Sequence, residues 1–306
     1  VLRNQVARNG IDFALAQHCS SQTIFVRHCL RHNVIKSTDA GETQLDLGLK
    51  GKVALVCASS HGLGFATAHR LALEGASVTV CGREAAAVEA ARDKIAADGG
   101  KVLGLSVNLS DAADRARLVK ETEAALGPID ICVLNTGGPP VGVFESLTLD
   151  QWQGAYELLI QPVVHLAQLV LPGMAARKWG RLLAVTSFVA REPASLMALS
   201  NSLRASVNGL MRTLANEYGP HGITVNSILP GYILTDRMRK VARAQAEARG
   251  LPPDQALDPI ASNVALRRIG DPEEFGNLAA FLVSDAASYV TGQAITIDGG
   301  LSKGVY

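Results

Sequence analysis

The chain has 306 residues, 48% of them hydrophobic, with 29 Lys+Arg set against 28 Asp+Glu. At about 150 residues per domain this length suits one large α/β domain or two small ones, with ample chain to bury a core. A net charge of +1 supplies no broad cationic field, which argues against nucleic acid or an anionic membrane as partner, and the composition is not that of a disordered chain. The five cysteines (Cys19, Cys29, Cys57, Cys81 and Cys132) have no paired spacing, which points to a reducing compartment such as the cytoplasm. No apolar run reaches the roughly 18 residues needed to span a bilayer.

Residues 1–46 differ from all that follows. Arg3, Arg8, Arg27, Arg31 and Lys36 are accompanied by Asp12 as the only acid as far as Lys36. No helical or strand period runs through them, and the stretch lacks the features of transit and secretion signals. A disordered extension or an upstream-translated segment, outside the fold, is expected there. His18, His28 and His32 have no metal-site spacing, and no metal site is expected anywhere in the chain.

From Gly51 onward, short apolar runs alternate with helical patterns. The expected strands are Val53–Cys57, Ser77–Cys81, Val102–Val107, Ile129–Leu134, Arg181–Thr186, Ile223–Ile228 and Gln293–Ile297, with helices between them that include Phe65–Glu74, Asp111–Ala125 and Pro193–Tyr218. This alternation predicts a single doubly wound α/β domain of the Rossmann type over 47–306, a seven-stranded parallel sheet with helices on both faces. The polar stretch Thr235–Arg249, before Pro252-Pro253, reads as a mobile, lid-like insertion near 235–264 over the sheet edge.

Directly after the first strand come Ser59-Ser60-His61-Gly62-Leu63-Gly64. Two glycines where a strand turns into a helix let backbone N–H groups approach a pyrophosphate at the helix N-terminus. The second strand ends at Cys81-Gly82-Arg83. Gly82 stands where an acid would hold the ribose 2′-hydroxyl of NAD, and Arg83 follows, suited to a 2′-phosphate with His61 as a weaker second contact. NADP(H) is therefore favoured, with NAD(H) as the alternative.

Gly62-x-Gly64, Asn135-Thr136-Gly137-Gly138 after the fourth strand, Ser187 after the fifth, Pro230-Gly231 after the sixth and the closing Asp298-Gly299-Gly300 together resemble the short-chain dehydrogenase/reductase family. The resemblance runs from Leu47 to about Lys303 and is nearest to the 3-oxoacyl-[acyl-carrier-protein] reductase-like branch. It implies that Gly62 and Gly64 face the pyrophosphate, Asn108 and Leu109 the adenine, Asn135 and Gly137 the adenosine side, and Pro230, Gly231, Ile233 and Thr235 the nicotinamide. Cys57-Ala58 and Asn108 depart mildly from the Thr-Gly and Asp usual in the family.

The catalytic pattern departs further. The family pairs a tyrosine acid with a lysine four residues on, a serine about thirteen residues earlier and an asparagine on the preceding helix. Here Ser187 is in place, but thirteen residues on stands Ser200 and four beyond it Arg204, while the asparagine position falls at or beside Leu159. An aliphatic hydroxyl is far less acidic than a phenol with a reference pKa of about 10, and a guanidinium does not release its proton. The usual relay therefore cannot run. Ser187 and Ser200 would cradle a carbonyl oxygen or a carboxylate, and Arg204 would bind ribose hydroxyls and supply positive charge. Tyr232 and Tyr156 are candidate substitute donors, with simple packing roles favoured for both; His165 reads as a helix-face residue.

The expectation is an NADP(H)-dependent oxidoreductase moving hydride to or from a small carbonyl or alcohol. Its rivals are reduction of a conjugated C=C bond and a nucleotide-binding sensor or structural subunit without turnover. The resemblance further implies a homotetramer built through two helices, Trp152–Met174 and Pro193–Tyr218, and through Tyr289–Asp298.

Overall fold

A computed structural model describes residues 35–37, 43–248, 252 and 256–305. The chain divides into two compact units, Val1–Gly48 and Leu49–Tyr306. In the first, Ile35–Ser37 (β1) and Thr43–Leu45 (β2) pair antiparallel. The expectation of an extension outside the fold concerned residues 1–46, of which 1–34 and 38–42 lie outside the described residues.

The second unit is built on Val53–Val56 (β3), Ser77–Gly82 (β4), Val102–Ser106 (β5), Ile131–Leu134 (β6), Gly180–Val185 (β7), Ile223–Pro230 (β8) and Ala294–Ile297 (β9). They form one parallel sheet in the order β5-β4-β3-β6-β7-β8-β9. Every residue of β3, β6, β7 and β8 is buried, so these strands, covered on both faces, read as unbroken apolar runs. The helices α1 (Gly62–Leu73), α2 (Ala85–Ala97), α3 (Ala112–Leu126), α4 (Leu149–Leu159), α5 (Gln161–Arg177) and α6 (Ala198–Tyr218) occupy the crossovers. Leu55, Leu118, Leu134, Leu166, Leu182 and Met211 belong to one core.

Two helix expectations need correction. The single helix Trp152–Met174 is two helices meeting at Ile160, because Pro162 lacks the N–H that would continue the ladder. Leu149–Arg177 is also, among the described residues, the one helical stretch apolar enough for a membrane span, with a mean hydropathy of 1.5 in its best window. Its apolar residues Val163, Leu166, Val170 and Met174 are in the core cluster, which accounts for that composition. The helix expected from Pro193 starts at Ala198; Asn201 Nδ2 holds the Ala194 carbonyl at 2.8 Å in a loop where Leu196 takes φ +64°.

Between β3 and β6 the order of the strands reverses, which opens a crevice at their carboxyl ends. The turn from β3 into α1 lies there and is held from both sides. The fully buried Ser59 donates its hydroxyl to Val56 O at 2.6 Å and accepts the Cys81 N–H at 2.9 Å, and Asn135 Nδ2 donates to Ala58 O at 3.2 Å. Gly64 has no space for a Cβ against Ala58 O, and the turn places Ala58 at φ +46° and Gly62 at φ +57°.

After β8 come α7 (Asp236–Ala248), α8 (Asp258–Ala261) and α9 (Pro272–Leu282). Of the stretch expected as a lid-like insertion, Asp236–Ala248 is helical, and it begins above the glycine turn. Thr235 Cγ2 lies 3.2 Å from where a Cβ on Gly62 would stand. Ala242, Ala246 and Ala256 form a small core of their own. The base of this segment is tied down where Gly270 N–H donates to Tyr232 O at 3.0 Å and Leu234 N–H to Gly270 O at 2.8 Å. Next to it Arg268 forks onto Glu274 at 2.7 and 2.6 Å, while Glu274 Oε2 accepts the Asp271 N–H at 2.8 Å.

Two stability predictions follow from this geometry. A left-handed alanine costs about 1 kcal/mol relative to glycine, so Ala58→Gly should raise the unfolding free energy by about that amount in a urea titration. The Arg268 guanidinium, with the Asp271 N–H, pulls the Glu274 carboxyl down to about 2. A depressed acid stabilises the fold above its ordinary pKa, and that contribution is lost as pH falls through the folded value. The gap in urea midpoint between wild type and Glu274→Gln should therefore be fully present at pH 6 and shrink from about pH 4 toward 2.

Candidate active site

Two adjoining pockets run along the carboxyl ends of the strands. The larger, of about 430 Å³, is lined by Ser60, His61, Gly82, Arg83, Asn108, Leu109 and Gly137 among others. The second, of about 250 Å³, is lined by His61, Gly62, Leu63, Asn135, Gly137, Val185, Thr186, Arg204, Pro230 and Thr235 among others. Most of the expected cofactor residues are thus brought together. Ser59, Gly64, Gly231 and Ile233 line neither pocket. Ser59 and Gly64 build the turn, and Gly231 packs so closely on Asp298 that a Cβ would fall 2.5 Å from Asp298 Cβ. Ile233 bridges to Gly270. Asn108 turns its Oδ1 back to the Ser110 N–H at 3.2 Å.

The end of β4 is open. A Cβ at Gly82 would fall 2.7 Å from Ser60 Oγ, so an acid there would have to displace Ser60, whose hydroxyl also meets His61 Nδ1 at 3.0 Å. Arg83 is exposed at the rim; its carbonyl accepts the Ser106 hydroxyl at 3.1 Å.

On α6, Ser200 and Arg204 lie one turn apart. Arg204 spans the second pocket, donating from Nη1 to Val185 O at 3.1 Å and from Nη2 to Gly137 O at 2.9 Å. It thereby joins the end of β7 to the loop after β6. Burial and then the nearby Arg237 charge pull its guanidinium down to about 10, still protonated at neutral pH. Ser200 is 5% exposed, and its hydroxyl has no hydrogen-bond partner among the described residues. Ser187 accepts the Val189 N–H at 3.4 Å and so caps the turn after β7. Neither serine lines the second pocket, whose wall there is Val185, Thr186 and Arg204.

The alternative donors have ordinary roles. Tyr232 packs edge-on against Phe188 with centroids 5.7 Å apart, and Tyr156 is exposed. His165 Nδ1 accepts from Arg115 Nε at 3.0 Å, while Arg115 Nη1 holds the Leu109 carbonyl at 2.6 Å. Cys81 on β4, Cys132 on β6 and Cys57, directly after β3 between them, are buried thiols. The hydrogen bond with Cys132, then burial, raises the Cys57 thiol; the bond with Cys57, then burial, raises Cys81. Neither thiol is primed as a nucleophile.

Sequence reasoning missed Thr186, Leu158 and Arg237. Leu158 rests against Gly137, 3.4 Å from where its Cβ would stand, on the helix where the family carries an asparagine. Arg237, in the first turn of α7, lines both pockets. A basic residue opening a polar helix is a signal common to many surface helices and does not mark a site.

Residues 57–302 match the family model described as enoyl-(acyl carrier protein) reductase. The human protein "Dehydrogenase/reductase SDR family member 4" is 32% identical over 271 residues, covering 88% of this chain and 93% of its own. The 3-oxoacyl-[acyl-carrier-protein] reductase of Pseudomonas aeruginosa is 31% identical over 83% of this chain and 99% of its own. Among solved structures, L-sorbose reductase from Gluconobacter frateurii, complexed with NADPH and L-sorbose, superposes with a TM-score of 0.82 at 31% identity, covering 85% of this chain and 100% of its own. With the parallel sheet, the crevice and the glycine turn in place, these likenesses settle the family: the chain belongs to the short-chain dehydrogenases/reductases.

Proposed function

We propose that this chain is an NADP(H)-dependent oxidoreductase that acts on a small carbonyl or alcohol with an altered set of catalytic residues. The observation that carries this reading is the pair of adjoining pockets at the strand-order reversal: Gly82 stands where an acid is usual, with Arg83 after it at the rim of the larger, and Arg204, where a lysine is usual, crosses the smaller. The groove suits a dinucleotide. Bare glycine backbone borders it at Gly62, Gly137 and Gly138, and the lack of an acid at Gly82, with Arg83 beside it, favours a 2′-phosphate over a free 2′-hydroxyl. The NADPH complex of the sorbose reductase supports the same choice.

When bound, the nicotinamide supplies or accepts the hydride. The protein's own residues bind and orient. Ser200, with a free hydroxyl, and Ser187 would hold the substrate oxygen, while Arg204 contributes positive charge beside a developing alkoxide. Arg204 holds its proton at working pH and so positions and stabilises without transferring one. The proton would come from water or from a donor on the substrate side. Hydride transfer to a conjugated C=C bond, where protonation falls on carbon, demands less of a phenol and is a variant of the same reading.

The test is titration of the purified chain with NADPH and NADH, followed by oxidation of the preferred nucleotide against ketones, β-keto thioesters, quinones and enones. Tighter NADPH binding is expected, weakened about tenfold or more by Arg83→Ala. Turnover should fall about 100-fold in Ser187→Ala with nucleotide affinity unchanged. Binding without turnover on any substrate would favour a nucleotide-binding sensor.

We propose in addition a homotetramer joined through α4–α5, α6 and the β9 region. Leu149 and Tyr156 on α4 and Tyr289 before β9 are large apolar side chains left exposed, Leu149 by 85%. Light scattering at micromolar concentration should give four times the chain mass, and a stable monomer would refute the assembly.

A further inference from the structure

Building on the dinucleotide reading, we propose that Arg237, carried on α7, binds the pyrophosphate of the nucleotide from the side opposite the glycine turn. Four residues line both pockets: His61, Gly137, Gly138 and Arg237. They mark the junction between the compartments. In a dinucleotide the group between its two halves is the pyrophosphate, which carries two negative charges.

The four shared residues include no acid, although Asp236, next in the chain to Arg237, lines the second pocket. Arg237 forms no hydrogen bond or ion pair among the described residues, and Arg204 bonds only to backbone carbonyls. The two guanidiniums are near enough to act on each other's charge, and like charges at a solvent-reached groove are stabilised by an anion shared between them. The backbone around them agrees. Thr235 Oγ1 accepts the Met238 N–H at 3.2 Å and caps α7, so Arg237 leaves the first turn of one helix while Gly62 opens another across the groove. Arg237 lies over Gly138, where a Cβ would collide with its guanidinium. Gly138 is not among the residues of positive φ, so the missing side chain there makes room for Arg237 and not for a backbone turn.

The experiment measures binding to the full-length chain by calorimetry, without substrate, using NADPH, ADP and adenosine 2′-monophosphate. ADP carries the pyrophosphate without a 2′-phosphate, and adenosine 2′-monophosphate carries the reverse. For Arg237→Gln the expected result is a 10- to 100-fold weaker Kd for NADPH, a matching proportional loss for ADP and no change beyond about twofold for adenosine 2′-monophosphate. Gly138→Ala, which displaces the guanidinium without removing it, should weaken NADPH by an intermediate factor with the circular dichroism spectrum unchanged. Arg239→Gln, exposed on the same helix, should bind all three as wild type does.

Equal loss of adenosine 2′-monophosphate would assign Arg237 to the ribose phosphate and overturn the proposal. Unchanged NADPH and ADP binding would overturn it as well; a raised KM for acidic substrates in that case would assign Arg237 to a substrate carboxylate. Failure of the wild type to bind NADPH or NADH would overturn the underlying dinucleotide reading and this assignment with it.

Discussion

The geometry of the carboxyl edge depends on how closely α1 (Gly62–Leu73) approaches the turn that precedes it. Gly64 sits against the Ala58 carbonyl with no space for a side chain, and that carbonyl is in turn the acceptor for Asn135. Ser59 ties the same turn to Val56 and Cys81. Three strand ends, those of β3, β4 and β6, are thereby held in one arrangement, and the helix N-terminus is aimed into the crevice between them. A methyl group at Gly64 would part the helix from the turn and undo all of these contacts together.

The cations of the fold separate into two kinds. Arg181, 3% exposed, is answered by Asp285 at 3.1 Å and lies 4.2 Å from the Trp179 ring, with the Lys52 ammonium also over that ring at 3.7 Å. Arg115 is answered by His165 and the Leu109 carbonyl. These are interior charges made whole by their neighbours. Arg204 is held in place by carbonyl dipoles but has no opposing charge. Its two bonds join separate strand ends, so it shapes the groove while bringing a positive charge to it. A lysine, with a single ammonium on a flexible stem, would not bridge both carbonyls in the same fixed fork.

Much of this was legible in the chain. The seven strands are apolar runs because both faces of the sheet are covered, and each expected strand is found within about two residues. The glycine turn was legible because positive φ and close approach leave only small residues. The break at Ile160 was missed because the apolar pattern continues through it while only Pro162 interrupts the hydrogen bonding. The contacts of Gly231 and Ile233 could not be read, since their partners Asp298 and Gly270 are distant in sequence. Arg237 could not be read at all. Its meaning lies in facing Gly138 across about a hundred residues of chain, which no local period encodes.

The small core under α7 has a further consequence. Ala242, Ala246 and Ala256, with the partly buried Leu257 and Ile260 packed on them, form a cluster separate from the main core. Because α7 also carries Arg237 into both pockets, the wall of the groove rests on a different set of apolar contacts from the sheet that forms its floor, and one can be altered without the other.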